Sequence, residues 1–504
     1  MRINKVVFIK NALILTVSGL VIRFVGMFFR VWLAGAIGAE GIGLYSQVFS
    51  FYMLASAFAS AGINTAVTRM VSEELATLNG KGVRVVLSRC VVVALIIAFV
   101  SAGIIFFGAD FIADYIIGDS RAADALKTLS FSLPFMGASS CFKGYFIARK
   151  KTAPASSGQI FEQFVRIGLV MLILSQTAEQ DIGRSCRAVL FGDLVAEGCS
   201  FLYIYISYLI DKSQYIVALD GSKPQYSVLS KLKHIALPIT TGRYLNSMLR
   251  TAENVLVPKK LEAFGLSGEN ALSVFGVIKG MALPLIFFPA TFLNALSTLL
   301  IPEMSSALAE GKTYKVKYTA EKCIHITLVA SLPISVIFFF AAKPLGVLVY
   351  NDNTAGQIIR LLSPIIPFMY LDSVCDGLLK GLDQQFSVFR NAIADSILRI
   401  ALIVILLPHF GVSGFIGIMY ISNGFTCGLN LFRLKKISKA RIKWGKWLVL
   451  PFVLCVGIGS VVCAVVEPMG LSNLLFVIVF GVFTLAFYLL AAVLLKCITP
   501  EDLK

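Results

Sequence analysis

Apolar runs long enough to cross a bilayer recur from one end of this 504-residue chain to the other, and no other feature limits the fold so tightly. A membrane-spanning helix needs about 20 mostly apolar residues. Fourteen such spans are predicted: 8–36, 43–70, 88–108, 125–148, 158–176, 188–210, 234–257, 271–301, 323–342, 357–379, 389–407, 411–432, 447–466 and 472–496. The longest predicted connection, roughly 211–233, leaves no room for a sizeable soluble domain. The expected fold is all-α and polytopic. The first span is too long for a cleaved signal peptide and another follows it at once.

Composition removes the alternatives. Hydrophobic residues make up 57% and charged residues 14% of the chain, with mean hydropathy +0.83. A soluble domain carries about 25% charge, so a soluble enzyme and a disordered chain are both excluded. A nucleic-acid partner is excluded as well, because the net charge of +17 is spread over many loops. The ten Cys lie mostly inside apolar runs without a Cys-x-x-Cys, and His234, His325 and His409 are far apart. No metal site, cofactor or disulfide framework is expected.

The basic residues explain the charge. One set of connections holds Arg2, Lys5 and Lys10; Lys81, Arg84 and Arg89; Arg149, Lys150 and Lys151; Lys312 to Lys322; the run Arg433–Lys446; and Lys496 and Lys504. The alternate connections hold far fewer: Arg121, Lys127, Arg184, Arg187, Lys259, Lys260 and Lys343. The positive-inside rule then places both termini in the cytoplasm. The run Arg433–Lys446 also suits contact with anionic membrane lipid.

The two halves echo each other. Pro134-Phe135 and Pro367-Phe368, Gly144 and Gly377, Glu162 and Asp395, and Arg166 and Arg399 are all separated by the same interval. Slightly shorter intervals relate Asn64 to Asn294, Glu73 to Glu303, Arg23 to Arg243 and Arg30 to Arg250. Six helices per copy is an even number, so the copies are parallel, about an axis along the membrane normal. The expected domains are 1–212 (helices one to six), 213–433 (seven to twelve) and 434–504 (two further helices). Two such lobes enclosing a cleft and rocking by alternating access make a transporter.

Charges inside spans are costly, about 2.5–3.5 kcal/mol each on insertion scales, so they usually face a cavity or a partner. Arg23 and Arg30 lie two turns apart on one helix face, as do Arg243 and Arg250 in the other copy. If both helices line the cleft, four guanidinium groups await a multiply charged anion such as a pyrophosphate, with Glu253 the one clear acid nearby. The alternative is that these arginines pair with acids or carbonyls, or extend to an interface; that is the better reading for Arg69 and Arg360, at span ends. Glu162/Arg166 and Asp395/Arg399 have the acid-first i,i+4 spacing of intrahelical ion pairs, which leaves a structural or a gating role open. Asp372 and Asp376 share a helix face and suit a coupling ion or simply water. Lys143 aligns with Asp376, which allows a salt bridge across the lobes. Pro134, Pro284, Pro289, Pro364 and Pro367 interrupt spans as bends or hinges. No catalytic constellation or nucleotide-binding loop occurs.

The opening Arg23-x-x-Gly26-x-x-x-Arg30, continuing through Ile37-Gly38-Ala39-Glu40-Gly41-Ile42-Gly43-Leu44-Tyr45, resembles the stage V sporulation protein B branch of polysaccharide transporters. That branch belongs to the multidrug/oligosaccharidyl-lipid/polysaccharide (MOP) flippase superfamily, with the MurJ-type lipid II flippases. The resemblance covers essentially the whole chain. It implies an undecaprenyl-pyrophosphate-linked saccharide, a peptidoglycan or spore-cortex precursor or a related polysaccharide intermediate, moved from the inner to the outer leaflet of a bacterial cell membrane. It also implies cavity arginines on the pyrophosphate, best matched by Arg30 and Arg250, and a lipid-tail groove formed by the last two helices. MurJ-type flippases carry an acid directly after the corresponding first-helix arginine; this chain has Val31. Other readings are an Na⁺- or H⁺-coupled multidrug antiporter of the same superfamily and a non-transporting scaffold for cell-wall enzymes. Two arginines without an acid on helix one disfavour the antiporter, and the short loops disfavour the scaffold.

Overall fold

The computed structural model describes residues 5–176, 181–216, 221–224, 226–495 and 497. The side chain of Asn294 and the charges of Arg2, Lys5, Lys10, Lys496 and Lys504 lie outside the described residues. Without water in the bilayer, backbone groups must be satisfied within each segment, which forces helix. The described residues accordingly contain no strand. The helices are α1 Lys5–Ala76, α2 Gly80–Phe111, α3 Ala122–Ser130, α4 Leu133–Ala148, α5 Ala153–Gln176, α6 Ile182–Asp211, α7 Val228–Ala263, α8 Gly268–Gly276, α9 Leu283–Phe287, α10 Ala290–Ala309, α11 Thr313–Phe340, α12 Ala342–Tyr350, α13 Asn353–Leu362, α14 Ile366–Gly381, α15 Gln385–Ser438, α16 Leu450–Val466 and α17 Asn473–Leu494.

Ten helices among the described residues are long and apolar enough to cross a membrane. The difference from fourteen has local causes. The expected spans 8–36 and 43–70 run together in α1, which breaks only at Gly38 (φ 70°, ψ 176°). Spans 389–407 and 411–432 run together in α15, which breaks at Gly411 (φ 54°, ψ −132°). Both conformations suit glycine, because a side chain at positive φ is strained. Span 125–148 divides into α3 and α4 just before Pro134, and span 271–301 divides around Pro284 and Pro289. The helix covering 234–257, α7, is too polar to qualify.

Contacts divide the chain into two compact units: Met1–Phe29 with Ala36–Val255, and Arg30–Gly35 with Leu256–Lys504. In the first unit, α7 runs antiparallel to the second arm of α1. Thr251 Oγ1 donates to the Ser50 carbonyl at 3.0 Å, the Gly62 N–H donates to Thr240 Oγ1 at 3.1 Å, and Lys231 pairs with Glu73. Gly62 permits this approach, since a Cβ there would overlap the Ala236 backbone. Gly144 does the same for α4, where a Cβ would sit 2.8 Å from the Asn64 carbonyl oxygen. Small residues at helix crossings are how membrane helices gain close packing. In the second unit one apolar core joins α10, α11, α14 and α15, and smaller clusters seat α16 and α17 against α11. All ten cysteines are free thiols, mostly buried.

Candidate functional site

The first unit encloses a cavity of about 600 Å³ lined by charged and amide side chains from five helices. Ser60, Asn64 and Thr65 come from α1, Ser140 and Lys143 from α4, and Gln159, Glu162, Gln163 and Arg166 from α5. Glu197 of α6 and Arg243 of α7 complete the wall.

Helical spacing builds its ionic side. Glu162 and Arg166 lie one turn apart, and Arg166 Nη2 donates to Glu162 Oε1 at 2.9 Å. The Arg166 Nη1 donates to Gln163 Oε1 at 3.1 Å, and Nε lies 2.6 Å from Asp193 Oδ1 on α6. Lys143 Nζ reaches Glu162 Oε2 at 4.0 Å. Asp193 and Glu197 are buried and also one turn apart. A buried carboxylate is tolerable only when paired, and the arginine of α5 holds the acids of two helices together. Arg243 differs: it is exposed and, among the described residues, has no ion pair or hydrogen bond. The lining therefore carries three basic groups against the carboxylates of Glu162 and Glu197.

The other singled-out residues lie elsewhere. Arg23 and Arg250 are exposed and do not line this cavity. Arg23 has no ionic partner among the described residues, whereas Arg250 Nε donates to Asn246 Oδ1 at 3.0 Å. Glu253 is buried on α7. Arg30 belongs to the second unit, where burial pushes the Tyr350 phenol up and the Arg30 charge opposes that shift. It too has no ion pair among the described residues.

The second unit repeats the acid–arginine pair in a different setting. Arg399 Nη2 donates to Asp395 Oδ2 at 2.6 Å, and Nε donates to Ser422 Oγ at 2.9 Å; that hydroxyl donates to Asp395 Oδ1. Nearby, Asn391 Nδ2 donates to Asn430 Oδ1, and Asn430 Nδ2 donates to Asp372 Oδ1, both at 2.9 Å. Asp376 instead holds Lys380 at 2.6 Å. Lys143 and Asp376 thus each find an ionic partner inside their own unit.

Sequence reasoning missed Asp193 and Glu197. A signal existed: both are acids inside an apolar run, and the interval that relates Arg166 to Arg399 carries Glu197 onto Asn430. A second polar tie was also missed. Asp211, at the end of α6, accepts from Tyr145 at 2.5 Å, Arg149 Nε at 2.9 Å and Lys151 at 2.7 Å. Arg149 stacks on Tyr215, 3.4 Å from the ring centre. At the other end of α2 and α6, Arg121 Nη2 donates to Glu40 and Asp119, both at 2.7 Å. The Asp119 hydrogen bond, the largest influence, holds the Arg121 guanidinium above its usual value, so this tie stays cationic at every accessible pH.

Residues 8–257 match the family "Polysaccharide biosynthesis protein", and 263–405 match "MatE". Stage V sporulation protein B of Bacillus subtilis is 25% identical over 414 residues, covering 81% of this chain and 80% of that protein. The lipid II flippase MurJ of the same organism is 19% identical over 445 residues, covering 81% and 78%. Among solved structures, lipid II flippase MurJ in an inward closed conformation aligns with TM-score 0.71 and 14% identity over 95% of this chain and 98% of that one. An inward-facing MATE family multidrug resistance transporter aligns with TM-score 0.63 and 14% identity over 83% and 99%. With a helical membrane fold, two family models over consecutive halves and relatives spanning most of its length, the chain belongs to the MOP flippase superfamily of membrane transporters, in its stage V sporulation protein B branch.

Proposed function

We propose that this protein flips an undecaprenyl-pyrophosphate-linked saccharide, a peptidoglycan precursor or a related polysaccharide intermediate, from the inner to the outer leaflet of the bacterial cell membrane by alternating access. Both termini lie in the cytoplasm in this reading, and the repeated helices form the two moving lobes. The observation that carries it is the un-neutralised guanidinium of Arg243 at a charged cavity, together with Arg23 and Arg30, which also have no carboxylate partner among the described residues. An arginine kept free of acids inside an apolar fold is costly unless an anion uses it. Guanidinium forks bind pyrophosphate oxygens bidentately. Arg250 and Glu253 extend the same helix toward the substrate path, and Val31 leaves Arg30 without an adjacent acid. The networks around Glu162/Arg166 and around Asp372, Asp395 and Arg399 then serve gating or coupling to Na⁺ or H⁺, with Asp376 at the margin.

The test is a leaflet-resolved assay in proteoliposomes with lipid II and other undecaprenyl-linked saccharides. Wild-type protein moves at least one of these substrates, and Arg30→Ala, Arg243→Ala and Arg250→Ala each lower the rate at least about tenfold, the size of one lost charge-assisted contact. Undiminished flipping by all three variants removes the arginines from the path. Export of a cationic dye without lipid flipping identifies a drug antiporter instead.

A further inference from the structure

A second cavity, of about 400 Å³, lies in the second unit where α11 ends. Its floor is Phe339 and Phe340, the last two residues of α11. Lys343, in the first turn of α12, forms one wall. Asn353, Gln357 and Arg360 form the other, at i, i+4 and i+7 on one face of α13. Glycine sets the spacing between the walls. A Cβ on Gly356 would sit 2.9 Å from the Ala342 carbonyl oxygen and 3.0 Å from Lys343 Cα, so only glycine lets α12 and α13 cross this closely.

The donor set is complete and one-signed. Arg360 lies over the Phe339 ring, 4.8 Å from its centre, which fixes the guanidinium plane and leaves its N–H edges directed away from the aromatic face. Neither Arg360 nor Lys343 makes an ion pair or hydrogen bond among the described residues. The nearest acids are already engaged or offset. Asp352 accepts from the Thr354 N–H at 2.6 Å as the cap of α13, and Glu467 lies 3.8 Å from the Cys463 thiol, within electrostatic reach of Arg360. Two cations and two amides around a pocket of this volume match the oxygens of a phosphate.

Position narrows the ligand further. α11 begins beside the polybasic segment, where Glu321 accepts from the Arg441 N–H at 2.7 Å. It ends at this cavity after 28 residues, a rise of about 42 Å. That length is a full bilayer with its headgroup layers, so the cavity sits at headgroup level on the face opposite the polybasic run.

We propose that this cavity is an oxyanion site that takes the phosphate of an anionic lipid headgroup or a free phosphate, gripped by Lys343 and Arg360 and oriented by Asn353 and Gln357. The experiment follows thermal unfolding of the full chain in a neutral detergent, titrated at matched ionic strength with dihexanoyl phosphatidic acid, dihexanoyl phosphatidylcholine or inorganic phosphate. Ligand that binds only the folded state raises Tm with its concentration, which yields an apparent Kd. Phosphatidic acid stabilises the wild type, and Lys343→Gln and Arg360→Gln each weaken that binding at least about tenfold. Both are exposed surface changes, so the unliganded Tm stays nearly constant. If inorganic phosphate reproduces the shift, the source is free phosphate; if only the lipid does, it is a headgroup; both outcomes support the site. Failure of phosphatidic acid and phosphate to shift the wild type, or an equal shift in wild type and both variants, overturns it. The readout is binding, so its failure is separable from any failure of lipid flipping.

Discussion

At the scale of single residues, two kinds of intramembrane arginine emerge, and they predict opposite phenotypes. Arg166 neutralises Glu162 and touches Asp193, whose side chains are 15% and 7% exposed. Removing one partner of a buried pair leaves an uncompensated charge and costs about 3–5 kcal/mol. Arg166→Met is therefore expected to lower stability by that amount in detergent unfolding. Adding Glu162→Gln and Asp193→Asn is expected to restore most of it. Arg243→Ala breaks no pair, and its stability change is expected to stay within about 0.5 kcal/mol. If Arg243→Ala destabilises as much as Arg166→Met, Arg243 has a structural partner and loses its claim to the substrate. The ion pairs of Glu162/Arg166 and Asp395/Arg399 were legible from i,i+4 spacing because a helix alone dictates that contact. The approach of Asp193 to Arg166 was not, because it depends on how α5 and α6 pack.

At the scale of elements, two glycines divide the longest helices, for partly different reasons. Gly38 has open space around its would-be Cβ, so only its φ and ψ resist a side chain. Gly411 has positive φ as well, and a Cβ there would lie 2.6 Å from the Phe264 ring. Gly38→Ala is expected to cost about 1–3 kcal/mol, the usual range for a residue forced into a sparse backbone region. Gly411→Ala is expected to cost more, and Gly411→Ala with Phe264→Leu to recover the excess but not the backbone share. Urea unfolding of the four proteins in one detergent measures this; equal losses for both single variants would show that Phe264 simply moves aside. Hydropathy placed span ends beside both glycines because polar or small residues interrupt the apolar runs there. It placed 125–148 and 271–301 as single spans because a window average is blind to the prolines that divide their backbones.

At the scale of the whole molecule, sidedness is the property most legible in the sequence, since membrane insertion reads charge locally, loop by loop. Each unit contains a helix that serves as a ruler. In the first, α2 begins with Lys81 and Arg84 and ends with Asp110, which Lys127 holds at 2.8 Å. In the second, α11 starts beside Arg441 and ends at Lys343. The charge rule puts Lys81 and Lys443 in the cytoplasm and Asp124 and Lys343 outside, and all four side chains are exposed. The native thiols are mostly buried; Cys199, Cys323 and Cys463 are partly accessible and are replaced by Ser for the measurement. A membrane-impermeant maleimide on intact spheroplasts is then expected to label Asp124→Cys and Lys343→Cys at once, and Lys81→Cys and Lys443→Cys only after permeabilisation. The inverse pattern would reverse the topology, and with it the leaflet from which substrate enters. A pattern that splits Lys81 from Lys443 would mean an odd number of crossings between them, which a parallel repeat of two six-helix copies cannot accommodate.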